Sequence, residues 1–66
     1  MPKFVHIVQV HPVEQGEPNT YKVVREEEFA EKNEALRWIR DYNLARVDET
    51  QAVYRGCVNN ETGELV

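Results

Sequence analysis

Apolar and β-branched residues dominate two early segments of the chain, at positions 3–10 (KFVHIVQV) and 20–25 (TYKVVR). Such runs predict β-strands, because branched side chains fit the pleated surface of a sheet. The intervening residues 12–19 contain two prolines and a glycine, which predicts a loop. Since no helical pattern separates the two strands, an antiparallel hairpin is the simplest pairing.

The segment 31–42 has the periodicity of an amphipathic helix. At 100° per residue its apolar side chains fall within an arc of about 160°, and its charged side chains fall mostly opposite. Asn43 suits the left-handed position that follows many helices, which predicts that the helix ends at Tyr42. The apolar arc, expected to face the sheet, comprises Ala35, Leu36, Trp38, Ile39 and Tyr42.

The last part of the chain predicts a second hairpin. Residues 51–58 (QAVYRGCV) are typical of a strand, and Gly56 within them indicates a bulge or the close approach of another group, for which Trp38 is a candidate. Gly63 suits the left-handed position of a hairpin turn. Residues 64–66 would then form a short fourth strand that pairs back on the third.

The predicted fold is a single α+β domain over residues 1–66 with the order ββαββ. Two hairpins around one helix predict a four-stranded antiparallel sheet with the helix packed on one face. The first strand is the most apolar and is therefore expected at the centre of the sheet. This arrangement serves many functions in small domains, so by itself it indicates none.

Both faces of the predicted sheet carry apolar side chains. A helix of about 12 residues is about 18 Å long, so it covers only one face, whereas a solvated sheet face is normally polar. We therefore expect another molecule to cover this face: a second copy of the chain, a different protein or a ligand, of which a second copy is the simplest. The competing interpretation is that scattered apolar surface residues are ordinary in small domains. Strand alternation allows two contact sets: Phe4, Val8, Tyr21 and Tyr54, or, in the reverse phase, Val5, Ile7 and Val53.

Charge bears on an alternative function, the binding of single-stranded nucleic acid. Aromatic residues interleaved with cations on a sheet can stack bases, and the candidate residues are Tyr21, Lys22, Tyr54 and Arg55. The formal net charge of −4 and the pI of about 5.0 weigh against it, because binding to phosphates requires a basic surface. The protein-interaction module is therefore the first hypothesis, and nucleic-acid binding is the alternative.

No set of residues in the sequence predicts catalysis, a metal site or a cofactor. Cys57 is the single cysteine, so no disulfide can form within the chain. Together with the two histidines, His6 and His11, it provides three ligands, fewer than the four of a usual structural zinc site. The two histidines are also expected on opposite faces of the first strand. Nothing resembles a signal peptide or a membrane span, so we expect a non-enzymatic protein of the cytoplasm.

Overall fold

The computed structural model describes residues 3–46 and 48–66. The strands form a four-stranded antiparallel sheet, and one helix packs on one of its faces. The predicted α+β class and the four-stranded sheet are therefore confirmed, although several boundaries differ. The order ββαββ fits the two long strands before the helix and, after it, the last strand with the bridge that pairs back on it; a two-residue strand before the helix is additional. In chain order the elements are β1 (Phe4–Glu14), β2 (Glu17–Pro18), β3 (Arg25–Phe29), α1 (Lys32–Ala45) and β4 (Thr50–Asn59).

The first strand is central, as its apolar sequence predicts. β3 pairs with residues 6–10 of β1, and β4 pairs with residues 4–12. Because these two ranges overlap, β3 and β4 must lie on opposite edges of β1. The short β2 pairs only with Val13 and Glu14, at the end of β1.

The predicted end of β1 near Pro12 is wrong, because the strand continues to Glu14. Pro12 has no N–H, but its carbonyl accepts a hydrogen bond of 2.8 Å from the Asn19 N–H. The turn into β2 lies at Gln15 and Gly16, both of which have positive φ values, 56° and 82°. Two such residues between antiparallel strands suit the twist of a tight hairpin, which replaces the predicted long loop.

The predicted second strand, 20–25, is also misplaced. Residues 20–24 form a loop, and the strand is the acidic segment Arg25–Phe29 (REEEF). Three glutamates in a row have low strand propensity, so the pattern gave no signal for it. Pairing with the buried central strand overrides that propensity.

The helix extends three residues beyond its predicted end. Asn43 is helical, and its side chain bonds both backbone groups of Ala52 in β4. The Ala52 N–H donates to Oδ1 at 2.9 Å, and Nδ2 donates to the Ala52 carbonyl at 3.2 Å. Asn43 therefore completes the outer edge of β4 instead of ending the helix.

The core lies between α1 and one face of the sheet, the helix-side face. Val8, Val10, Ala35 and Ala52 are buried there. Trp38 is half-buried against this cluster, as predicted for the apolar side of the helix. Its ring stacks on Tyr42 and packs at an angle against Phe29, with centroid distances of 5.2 Å and 6.0 Å. The Arg25 guanidinium lies over the same ring, 5.5 Å from its centroid.

The predicted bulge at Gly56 is confirmed. The register of β4 against β1 shifts between Ile7 and Val8, and Gly56 has a φ of +129°. Its close neighbour is Leu65 and not Trp38: a Cβ at Gly56 would lie 3.2 Å from Leu65 Cδ2. The predicted fourth strand, 64–66, is reduced to one bridge between Leu65 and Val58.

Candidate functional site

The helix leaves the other face of the sheet uncovered, and we call this surface the helix-free face. Strand alternation and the register place on it every second residue of β1 and their partners in β3 and β4. The bulge at Gly56 brings Arg55 to the same side, where it lines a groove with Ile7 and Gln9. The face comprises Val5, Ile7, Gln9, His11, Glu26, Glu28, Gln51, Val53, Arg55 and Val58.

One end of the helix-free face is covered by the loop 20–24. His11 is fully buried there, and its Nδ1 lies 2.6 Å from the Lys22 carbonyl oxygen. Because a carbonyl only accepts, Nδ1 must carry the proton in this contact. No described residue hydrogen-bonds the buried Nε2. His11 thus holds the loop against the sheet.

The C-terminal segment covers part of the other end. Leu65 forms an antiparallel bridge with Val58, and its side chain lies next to Gly56. Most of the Leu65 side chain is nevertheless exposed. Val5 and Ile7 are buried in the floor of the face. The chain therefore shields the two ends of its apolar strip, and the part between them stays open.

The open part is a groove of about 330 Å³. Its floor is apolar, with Ile7 and Val58, and Leu65 forms one wall. Charged groups lie at both sides: Glu26 and Glu28 on β3, and Arg55 on β4. Among the described residues no ion pair within 4.0 Å involves these three charges. Glu26 Oε2 accepts a hydrogen bond of 2.8 Å from Gln9.

The structure resolves the phase that the sequence left open. Val8 is fully buried beneath α1, and Tyr54 packs against the same core, so neither lies on the helix-free face. Phe4 shares their phase on β1, and Tyr21 is 98% exposed in the loop 20–24. The first predicted contact set is therefore wrong in its placement. Val5, Ile7 and Val53, the set given for the reverse phase, do lie on the helix-free face.

The residues of the nucleic-acid alternative do not share one surface. Tyr54 lies on the helix side, where its hydroxyl is 2.9 Å from His6 Nδ1 and Lys32 lies over its ring. Arg55 lies on the helix-free face. Tyr21 and Lys22 belong to the loop, and Lys22 is 3.9 Å from the Glu14 carboxylate. A strand of bases could not stack along this set as the sequence suggests.

The reactive side chains are also dispersed. His6 and Cys57 are cross-strand neighbours on the helix side, but the His6 ring bonds the Tyr54 hydroxyl. His11 lies on the opposite face, as the sequence predicts. In the described part of the chain, no three or more His, Cys, Asp or Glu residues are grouped to hold a metal ion. No helix in residues 3–46 and 48–66 has the length and apolar character needed to cross a membrane.

Comparison with known proteins assigns the chain to no family. No model of a protein family matches the chain, and neither curated proteins nor solved structures gave a significant match. The helix-free face is therefore the feature of the molecule that indicates a function.

A chain of hydrogen bonds at the C-terminal end of α1 was not predicted from the sequence. The Tyr42 hydroxyl is 2.7 Å from Thr50 Oγ1, which in turn is 2.5 Å from Asp48 Oδ1. Arg46 Nη1 donates to the Thr50 carbonyl at 2.8 Å. These contacts fasten the end of α1 to the start of β4, and we assign them a structural role. No periodic pattern joins these residues in the sequence, which is why it gave no signal.

Proposed function

We propose that the protein is a small non-enzymatic interaction module that binds a second copy of itself through the helix-free face. The observation that carries this proposal is the apolar part of that face that stays open, where Val53 and Val58 are only half-buried and Leu65 is 72% exposed. Val5 and Ile7 of the same face are already buried within the monomer. An antiparallel sheet with a solvated face would normally be polar there. Covering the open groove with another molecule removes this apolar surface from water.

A second copy is the simplest occupant for physical reasons. Most soluble oligomers are symmetric homodimers, in which the same patch serves both partners. The groove also holds both signs of charge, so one surface can complement itself. A net charge of −4 on each chain opposes pairing, but salt at physiological strength screens charges beyond about 8 Å.

The proposal is tested by the association state of the protein and of one variant. Sedimentation equilibrium should show a reversible monomer–dimer equilibrium for the wild type. Val53→Lys places a charge on the helix-free face and should raise the dimer dissociation constant by at least about tenfold. Val53→Thr keeps the branched shape of the side chain and should weaken pairing to a smaller extent. It tests the same site with a variant whose strand is little disturbed, in case Val53→Lys does not fold.

Leu44→Lys is the matched control. Leu44 is an exposed apolar residue of α1, so the same substitution there should leave pairing unchanged. A wild-type protein that remains monomeric at millimolar concentration contradicts the proposal. So does a dimer that Leu44→Lys weakens as much as Val53→Lys does.

Salt separates this function from the alternative of nucleic-acid binding. Pairing driven by apolar burial should persist at high salt, whereas a complex with single-stranded nucleic acid should weaken steeply as salt rises. Titration with a labelled oligonucleotide at low and high salt makes the comparison direct.

A further inference from the structure

We infer that the two copies pair about a two-fold axis that runs along β1, so that Arg55 of each copy lies over Glu26 and Glu28 of the other. This inference rests on the proposed function and adds to it the orientation of the dimer and the charges that select it.

None of the three charges has an ion-pair partner within 4.0 Å in the described part of the monomer. The neighbouring acid of β3, Glu27, lies on the helix side and is paired with Arg25 at 2.6 Å. Glu26 and Glu28 lie on the helix-free face, and none of the described residues forms an ion pair with them. Arg55 likewise has no carboxylate within 4.0 Å among residues 3–46 and 48–66. It is separated from the two acids by the width of β1, which is two strand spacings, or about 10 Å.

These charges lie at matching heights along the sheet. Ile7 of β1 pairs with Glu28 on one side and with Gly56 on the other. The bulged Arg55, next to Gly56, is therefore level with Glu28. Glu26 lies two residues further along β3, which is about 7 Å.

Rotation about an axis along β1 converts this pattern into complementarity. Such a rotation keeps the height of every residue and exchanges left with right, so β4 of one copy faces β3 of the other. Arg55 then meets the acids without any shift along the strands. Because the interface is symmetric, the contact forms twice. The aligned strands also suit the usual packing of two sheets, with strand directions within about 30°.

The other face-to-face arrangement has its axis across the strands. It sets β4 on β4 and β3 on β3, so that the acids of the two copies face each other and Arg55 has no carboxylate opposite. Charge pairs at the rim of an interface contribute little to affinity, but opposed like charges are costly. The charge pattern therefore selects the orientation, while Val58 and Leu65, which remain accessible in the monomer, supply the apolar burial.

The test is a charge exchange between two variants. Arg55→Glu alone and Glu28→Arg alone should each weaken homodimerisation by at least about tenfold, because each opposes like charges twice. An equimolar mixture of the two should form a one-to-one heterodimer, seen as a mixed mass by native mass spectrometry. The double variant R55E/E28R should recover the homodimer.

Arg37→Glu is the matched control for net charge, since Arg37 is an exposed residue of α1. It changes the charge of the chain by the same amount as Arg55→Glu and should leave pairing unchanged. Circular dichroism of every variant confirms that the fold is intact.

The outcomes separate this inference from the function on which it rests. A wild type that never pairs, or pairs with equal strength when Val53 is replaced by lysine, overturns both. A wild type that pairs through Val53, but whose Arg55→Glu and Glu28→Arg variants form no heterodimer, overturns only the orientation. Equal weakening by Arg37→Glu and Arg55→Glu does the same.

Discussion

At the scale of single residues, Asn43 has a role that its sequence position hides. The sequence predicts a helix-ending residue there, since asparagine tolerates the left-handed backbone. In the structure its amide matches the N–H and carbonyl of Ala52 and closes part of the outer edge of β4. Asn43 reaches that edge only because α1 lies beside β4, and no local pattern encodes that proximity.

Asn43→Ala should lower the free energy of unfolding by about 1–3 kcal/mol, because it leaves two backbone groups of a buried residue without a partner. Urea denaturation measures the change. Asn33→Ala is the control for the change of side chain: Asn33 is an exposed position in the first turn of the same helix. Equal stability of the two variants would show that the bonds to Ala52 contribute nothing.

At the scale of elements, the C-terminal segment and the bulge of β4 fit each other. Gly56 has a backbone conformation that other residues rarely adopt, and its missing Cβ leaves room for Leu65. The sequence indicated the bulge and a close approach correctly. The expected neighbour, Trp38, was wrong because Trp38 packs on the helix side of the sheet. Which residues of β4 face that side depends on the strand phase, which the sequence left open.

Gly56→Ala should destabilise the protein by about 1–3 kcal/mol through backbone strain, with a further contribution from the contact with Leu65. Gly63→Ala is the matched control, since Gly63 also has positive φ but nothing within 4 Å of the added carbon. Thermal unfolding should rank Gly56→Ala below Gly63→Ala. The contact with Leu65 is tested by measuring the free-energy cost of Gly56→Ala a second time in a Leu65→Ala background. The cost should be smaller there, and an equal cost in both backgrounds would contradict the assigned contact.

At the scale of the whole molecule, the core is small. The fully or nearly buried apolar residues of the described chain are few, and two of them, Val5 and Ile7, belong to the helix-free face. A domain of this length buries only about 60% of the surface of its unfolded chain and is marginally stable alone. Pairing through the helix-free face would bury the half-buried Val53 and Val58 further and would cover the exposed Leu65.

The midpoint of thermal unfolding should therefore rise with protein concentration, because association stabilises the folded state by mass action. Calorimetry over a hundredfold range of concentration measures this dependence. Val53→Lys should flatten it, whereas Leu44→Lys should not. A midpoint independent of concentration for the wild type would mean that folding gains nothing from pairing.

The sequence alone determined the composition of the layers: a central apolar strand, one amphipathic helix, a bulge at Gly56 and apolar residues on both sheet faces. These features follow from local periodicity and backbone preference, which act over a few residues. Only the tertiary structure decided the strand phase, the acidic third strand and the placement of Arg55, Glu26 and Glu28 along the sides of one groove. Those depend on which distant segments pair with β1, and pairing between distant segments leaves no local periodicity to detect.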